Sequence, residues 1–234
     1  MFDPGPVSVL VESMPAVTPT GDDLVPVLPA LRPVIPGGGL RPGWVVSVGG
    51  SGTAPGAAAP GAASLGLALI AGAEGNGGWC AAVGLPDLGV VAAAAMGAAP
   101  ERLLLVDDPG GRWPDVVAAL IDAVDLVLVR PGSRPSPTLT RRLAALARRG
   151  RCVLVADGDW GGAQLRLGVA AAEWAGPGAG YGHLTGRRAR VVATGRGAAG
   201  PGRSAWVWLP GPDGAVSPAA APAAAGRPAL EVVA

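Results

Sequence analysis

The chain has 234 residues, half of them apolar and 4% aromatic, with a formal net charge of +1. This length allows one domain with a sizeable core plus tails, and the near-zero charge excludes a global field that would draw the protein to nucleic acid or membranes. Glycine and proline number 39 and 25, a fraction close to that of low-complexity chains. Because they mostly punctuate apolar segments, we expect a globular domain with loose loops and disordered ends.

The basic residues are all arginine, so no lysine in this chain can reach a phosphate. The start of the chain lacks the positive region of a secretory signal. The stretch at 88–99, LGVVAAAAMGAA, is too short to span a bilayer. Cys80 and Cys152 lie in apolar runs, which predicts buried free thiols and a reducing, cytoplasmic location.

The first 28 residues are rich in proline and form an N-terminal segment of unassigned structure. Residues 29–43 predict a short helix or turn that enters a glycine corner. Beyond them, apolar runs alternate with segments of helical spacing. The predicted strands are 44–48, 79–84, 102–108, 125–130 and 152–157, and the predicted helices are 62–73, 87–98, 113–124 and 136–150. Continuously apolar strands separated by helices indicate an α/β fold with a mostly parallel sheet covered on both faces.

The last third of the chain has a different pattern. Residues 163–174, 187–196 and 204–210 predict strands joined by turns, and therefore an antiparallel extension of the sheet. From residue 213 to 234 the composition is low in complexity and predicts a disordered tail. The predicted organisation is thus an N-terminal segment (1–28), a core (29–212) and a C-terminal tail (213–234). The tail ends in PALEVVA, an apolar tip suited to capture by a partner protein.

A glycine-rich loop connects the first strand to the first helix, as in a phosphate-binding loop. Gly56 and Gly61 have the spacing of that motif, but the expected Lys and Ser/Thr are Ala62 and Ala63. No arginine lies between Arg41 and Arg102 to supply the missing charge. Backbone amides alone could attract an anion weakly. We interpret the loop as vestigial, without a cofactor; its residues are Gly49, Gly50, Gly56, Gly61, Ala62 and Ala63.

The ordered set of segments resembles the core of RecA-type recombinases, from about residue 24 to 210. The resemblance is carried by VIPGGGLRPGWVVSVGG, WCAAVGLPDL, DVVAALIDAVDLVLVRPG, GRCVLVADGDWGGAQLRLGVAAAEW and GRRARVVATGRGAAGPGRSAWVWLP. The first three segments correspond in turn to the glycine corner and first strand, the strand before the catalytic glutamate, and the strand before the magnesium-associated aspartate. The last two correspond to the strands around the DNA-binding loop and to a closing basic hairpin.

Each catalytic station of that family is altered here. The glutamate corresponds to about Pro86, the aspartate to about Arg130, and the DNA-binding loop shrinks to residues 157–162. This pattern resembles the degenerate accessory proteins of bacterial mutagenesis operons, the ImuA type. The resemblance implies a non-catalytic adaptor in damage-induced (SOS) translesion synthesis, recruited to the nucleoid at damage. The implied partners are an inactive Y-family-like polymerase homologue and an error-prone replicative-type polymerase.

Two other functions remain open at this stage. One is a divergent ATPase or recombinase, which measurable ATP turnover would favour. The other is a division inhibitor of the SulA type, whose target is the tubulin-like division protein. Gene neighbourhood separates these alternatives, because a polymerase operon would favour the adaptor and a lone damage-regulated gene the inhibitor.

Five arginines of the last hairpin are the candidate nucleic-acid contacts: Arg187, Arg188, Arg190, Arg196 and Arg203. No aromatic residue lies within this stretch to stack a base, so we expect weak, salt-sensitive DNA binding at most. A second group on residues 141–151 is interpreted as the solvated face of a helix. We interpret two aspartate pairs, Asp107 with Asp108 and Asp157 with Asp159, as turn residues. The lone His183 is given no catalytic role, and we expect no metal site.

Overall fold

A computed structural model of the chain describes residues 24–49, 61–176, 182–195 and 202–222. The strands are β1 (Val45–Val48), β2 (Cys80–Val83), β3 (Leu103–Val106), β4 (Leu126–Val129), β5 (Val153–Asp157), β6 (Leu165–Ala175), β7 (Gly186–Gly195), β8 (Arg203–Trp208) and β9 (Ser217–Pro218). The helices are α1 (Ala62–Glu74), α2 (Val90–Ala95), α3 (Trp113–Ile121) and α4 (Pro137–Gly150), with short 3₁₀ turns at Pro29–Leu31, Pro36–Gly38, Pro100–Arg102 and Gly110–Arg112.

The described strands form one sheet in the order β3-β2-β4-β5-β1-β6-β7-β8-β9. The pairs from β3 to β6 are parallel, and the strands from β6 to β9 pair antiparallel. In β1, Val46 lies opposite Val155 of β5 on one side and opposite Leu165 of β6 on the other, so β1 joins the two parts of the sheet. The predicted α/β fold class, with its antiparallel extension, is confirmed.

Helices cover both faces of the parallel part, as continuously apolar strands require. Leu65, Leu69 and Ile70 of α1 are fully buried in the core on one face. Val117 of α3 and Leu143 of α4 are fully buried in a second core on the other face. The carboxyl edge of the sheet therefore lies between two helical layers.

Helix α4 shows how local sequence fixes an element. The Ser136 hydroxyl accepts a hydrogen bond from the Leu139 backbone amide at 3.2 Å, and Pro137 follows at the first helical position. The helix ends at Arg151, whose φ of 57° is left-handed. Its arginines at positions 141, 142, 148 and 149 are exposed, which confirms the interpretation of a solvated face.

The described structure extends beyond the predicted core at both ends. Val25 and Leu40 exchange backbone hydrogen bonds of 2.8 and 2.9 Å, and Val27 is buried. At the other end, Ser217 and Pro218 pair with β8, and Ala219 donates its amide to the Trp206 carbonyl. The predicted disorder from residue 213 is therefore wrong for residues 213–222, because cross-strand hydrogen bonds hold a segment that has too few large apolar side chains to form a core alone.

None of the helices in the described ranges is long and apolar enough to cross a membrane. Cys80 and Cys152 are both free and buried, as predicted. Burial raises the pKa of both thiols well above the ordinary value, so neither has the thiolate character that a reactive cysteine needs.

Candidate functional site

The carboxyl ends of the parallel strands meet at one edge of the sheet, where ligands of such folds bind. Gly49 follows β1, Gly84 follows β2 and Arg130 follows β4, while Asp157 ends β5. The structure thus brings the end of the glycine loop and the two altered catalytic stations to one edge.

Both ends of the glycine loop are described, whereas Gly50 and Gly56 lie outside the described residues. Gly49 and Gly61 have φ angles of 109° and 76°, which glycine adopts without a steric penalty. Ala62 is fully buried as the first residue of α1, and Ala63 follows it in the same turn. Methyl groups therefore stand where a phosphate-binding lysine and a magnesium-binding hydroxyl would be needed.

Arg130 occupies the position directly after β4. Its Nε donates to Asp157 at 2.8 Å and its Nη1 donates to Asp87 at 2.6 Å. The side chains of Arg130 and Asp157 are 9% and 1% exposed, whereas that of Asp87 is 64% exposed. The guanidinium thus joins the ends of β2, β4 and β5 through two ion pairs, of which the pair with Asp157 is buried.

The hydrogen bonds of this network stabilise the charged forms of Arg130 and Asp87. Burial opposes the charge on Arg130, but its hydrogen bonds to the two carboxylates outweigh that effect and raise the pKa of the guanidinium. The hydrogen bond from Arg130 lowers the pKa of Asp87. At neutral pH the group carries one positive and two negative charges, so it holds an internal cation at the point where a magnesium-associated carboxylate was expected.

The site residues do not fit a magnesium–nucleotide complex. A guanidinium replaces the strand-end carboxylate, and the exposed Pro86 offers no acid–base group at the glutamate station. Within the described ranges, no three His, Cys, Asp or Glu side chains are grouped to hold a metal ion.

Sequence reasoning placed Asp157 among turn residues, and this interpretation is wrong. Asp157 is buried and paired with Arg130, while Asp159 is partly exposed and paired with Arg166. Asp87 was missed as a partner of Arg130. The signal was weak, because only the sheet order reveals that the ends of β2 and β5 flank the end of β4.

A cleft of about 930 Å³ opens at the same edge, beside the ends of β2, β3 and β4. Asp107 and Asp108 are exposed at this cleft, and Arg130 and Arg134 also line it. Both signs of charge are present, so the lining selects neither a phosphate nor a metal ion. His183 is exposed in a loop outside the cleft lining.

The hairpin arginines do not form one surface. Arg188 and Arg190 point to the solvent face of the sheet, whereas Arg187 is buried on the other face, where its Nε donates to the Leu209 carbonyl at 2.9 Å. Arg203 is exposed at the start of β8, and Arg196 lies outside the described residues. The predicted five-residue contact is therefore split by the alternation of side chains along a strand.

Arg187 is also the cation that sequence reasoning missed near the glycine loop. Its Nη1 lies 3.9 Å from the point that a Cβ on Gly61 would occupy. The guanidinium stacks over the Trp174 ring at 5.3 Å from the ring centre, and burial lowers its pKa. The two positions are 126 residues apart in the chain, so only the pairing of β6 with β7 brings them together.

Comparisons with known proteins agree with this architecture. Residues 33–162 match the profile of the MT3502 N-terminal domain family. The chain is 37% identical over 174 residues to the uncharacterised protein Rv3395c of Mycobacterium tuberculosis, covering 69% of this chain and 85% of that protein.

Two solved structures are similar to this chain. The KaiC-like protein PH0186 from Pyrococcus horikoshii OT3 matches with a TM-score of 0.56 and 15% identity, over 85% of this chain and 100% of that one. The flagellar accessory protein FlaH from Methanocaldococcus jannaschii matches with a TM-score of 0.49 and 11% identity, over 79% and 94%. None of these names refers to mutagenesis, so the ImuA-type assignment stays a prediction. The fold is RecA/KaiC-like, and the chain belongs to the MT3502 N-terminal domain family.

Proposed function

We propose that this protein is a non-catalytic RecA-fold adaptor that assembles an error-prone polymerase complex during damage-induced translesion synthesis. The observation that supports the non-catalytic part most strongly is the ion-paired Arg130 between Asp87 and Asp157. Phosphoryl transfer depends on cations that neutralise charge on the transferred group. Here the strand-end cation belongs to the protein and is already neutralised.

The adaptor part rests on the resemblance to ImuA-type accessory proteins. A degenerate ATPase core that retains its sheet and both cores still offers surfaces for partners. The proposed partners are the inactive Y-family-like polymerase homologue and, through it, the error-prone replicative-type polymerase. Loss of the catalytic stations without loss of the fold is what selection for binding alone would leave.

Co-purification tests this function directly. The full chain is expressed with the tagged inactive polymerase homologue from the same genome, and in parallel with the tagged tubulin-like division protein. We expect the first pair to co-elute as a stoichiometric complex in size-exclusion chromatography and the second not to associate. Association with the division protein alone would replace the adaptor proposal by the SulA-type alternative.

A cellular test separates the adaptor from a bystander. Deletion of the gene should lower damage-induced mutation frequency to the level of a strain that lacks the polymerase homologue. The variant Arg130→Lys, which keeps the positive charge, should restore mutagenesis, because the proposal requires no nucleotide chemistry at this position. Unchanged mutation frequency in the deletion strain would contradict the proposal.

A further inference from the structure

The antiparallel extension carries tryptophan and arginine on one face. In the pairing of β7 with β8, Arg188 lies opposite Trp208 and Arg190 lies opposite Trp206. Side chains alternate between the faces of a sheet, so these four residues share one side. In the sequence a loop separates the two arginines of β7 from the two tryptophans of β8, so the sequence alone does not place the tryptophans beside the arginines.

Burial shows that this side faces solvent. Ala189, Val191 and Val207 alternate with the four residues and are fully buried in the core on the α1 side. Arg190 is exposed, and Arg188, Trp206 and Trp208 are partly exposed. Helices α3 and α4 pack on the parallel strands, so no described helix covers this part of the face.

The side chains on this face are held in position. Arg188 stacks over the Trp208 ring at 5.7 Å from the ring centre, and Arg190 Nη2 donates to the Ser204 hydroxyl at 3.3 Å. A guanidinium stacked on an aromatic ring keeps its N–H edge available for phosphate oxygens. Among the described residues, no guanidinium lies over the Trp206 ring, so this ring is available to another flat group.

The charge of the face is positive but small. Arg188 forms an ion pair with Glu173 of β6 at 2.9 Å, and both side chains are partly exposed. Arg190 has only the Ser204 hydroxyl as its side-chain partner in the described chain. One carboxylate therefore opposes two guanidinium groups, which leaves a net attraction for anions.

We propose that this face binds single-stranded nucleic acid, with a base stacked on Trp206 and the flanking phosphates contacted by Arg188 and Arg190. Stacking requires unpaired bases and tolerates any sequence, because every base has a flat face. Two residues along a strand span about 7 Å, so a base stacked on Trp206 would lie beside the Arg188–Trp208 stack, within reach of the next phosphate of an extended strand. The surface is distinct from the carboxyl edge that holds Arg130.

The inference goes beyond the proposed function and does not require it, because the assay below contains no partner protein. Failure of nucleic-acid binding leaves the co-purification result standing, and failure of co-purification leaves this surface standing.

Fluorescence anisotropy of the full-length protein with a labelled oligothymidine tests the inference. Trp206→Ala should weaken binding about tenfold, the loss of one base–aromatic stack, whereas Trp206→Phe should bind almost as the unmodified protein does. The matched control is Trp174→Ala, since Trp174 is 56% exposed but lies on the other face. This control should bind with unchanged affinity.

The arginines are tested by salt dependence. Arg188→Ala and Arg190→Ala should each reduce the slope of log affinity against log salt by about 0.7, the value for one phosphate of a single strand. Arg142→Ala on the exposed face of α4 is the matched control and should leave the slope unchanged. Glu173→Ala should raise the affinity, because it removes the carboxylate that competes for Arg188.

Three results would overturn the inference. They are no binding of the oligothymidine at low salt, equal losses for Trp206→Ala and Trp174→Ala, and duplex DNA bound as tightly as the single strand. Far-UV circular dichroism and the melting temperature of each variant establish that it is folded, and Trp206→Phe keeps the test decisive if Trp206→Ala is unstable.

Discussion

Arg130 reverses the sign of the charge expected at the end of β4. A single exchange of this kind would leave a buried positive charge without a partner, which is strongly unfavourable. Asp157 and Asp87 supply the two partners from neighbouring strands. The ion pairs thus make Arg130 a structural connection between the ends of neighbouring strands.

Arg130→Met should destabilise the protein by about 3–5 kcal/mol, because it removes an ion-pair partner of the buried Asp157 carboxylate. Urea unfolding followed by circular dichroism measures the free energy of unfolding. Arg134→Met, in the exposed loop after β4, is the control and should change stability by less than about 0.5 kcal/mol. A loss below about 1 kcal/mol for Arg130→Met would show that the network does not connect the strands.

Glu74 gives a prediction with a defined dependence on pH. It is buried at the end of α1, where its Oε2 accepts the Ala99 amide at 2.6 Å and its carboxyl also interacts with the Cys80 thiol. Burial raises the pKa of this carboxyl above 4.5. The folded state therefore binds the proton more tightly than the unfolded state, so this contribution to stability is present at low pH and is lost as pH rises through the raised pKa.

Glu74→Gln should therefore be more stable than the unmodified protein at about pH 7, and the difference should shrink towards about pH 4. Urea midpoints at both pH values measure the difference. The control is Glu101→Gln, an exposed carboxylate near the same helix end, for which a difference of less than about 0.5 kcal/mol is expected. A Gln variant that is less stable at neutral pH would show that the interactions of the ionised carboxylate, such as its hydrogen bond from the Ala99 amide, outweigh the cost of its burial.

Single residues differ in how far the sequence predicts them. The alanines after the glycine loop and the buried thiols follow from local patterns, and the structure places both as expected. The partners of Arg130 and the approach of Arg187 to Gly61 depend on which strands are neighbours. No local pattern contains that information, because the paired positions lie 27 to 126 residues apart.

At the scale of elements, periodicity predicted the strands and helices α1, α3 and α4 to within about three residues at each end, whereas α2 is much shorter than expected. The apolar segment 87–98 predicts a long helix, but the helix covers only Val90–Ala95. Gly89 precedes it in an extended conformation, and Gly97 follows with a φ of 101°. One glycine on each side therefore limits the helix, although the helix propensity of its alanines alone would extend it.

Helix α1 contains two glycines that should respond differently to alanine. A Cβ on Gly72 would lie 2.6 Å from the Val27 backbone, whereas a Cβ on Gly66 would lie 2.8 Å from the end of the Leu128 side chain. Alanine favours a helix by about 1 kcal/mol over glycine. A contact with the backbone cannot be relieved by a rotamer change, so the steric cost of the added Cβ should be larger at Gly72 than at Gly66.

Gly72→Ala should lower the free energy of unfolding by about 1–3 kcal/mol, the usual effect of overpacking. Gly66→Ala is the matched variant in the same helix and should lose distinctly less. Chemical denaturation of both variants measures the difference. If Gly72→Ala proves as stable as the unmodified protein, residues 24–28 do not pack against α1 as described.

The shared face of the two arginines and two tryptophans could not be predicted from the strand assignments alone. The sequence predicted β7 and β8 as strands, but the face that each side chain occupies depends on their register. A shift of one residue would move Trp206 and Trp208 to the buried side. The register was therefore necessary to place these residues beside Arg188 and Arg190.

At the scale of the whole molecule, the C-terminal boundary affects the design of truncations. Ending the chain at residue 222 keeps β9, whereas ending it at 212 removes β9 and its pairing with Val207 and Trp208. We expect the longer form to retain the melting temperature of the full chain and the shorter form to melt several degrees lower, since a loss of 1 kcal/mol shifts a domain of this size by about 2–4 °C.

Differential scanning calorimetry of both truncations tests the boundary. The predicted role of the apolar tip, PALEVVA, adds a second readout, namely weaker co-purification of the polymerase homologue with the longer truncation. Equal melting temperatures for both forms would contradict a structural role for β9. Undiminished co-purification would place the partner contact elsewhere in the chain.

We propose that this chain has the RecA/KaiC-like fold without phosphoryl-transfer chemistry. Release of inorganic phosphate from ATP, with and without single-stranded DNA, tests this most directly. We expect background rates for the unmodified protein and for the double variant Ala62→Lys/Ala63→Thr, because Pro86 and Arg130 remain at the other stations. DNA-stimulated phosphate release that follows the unmodified protein through two independent purification steps would contradict the account.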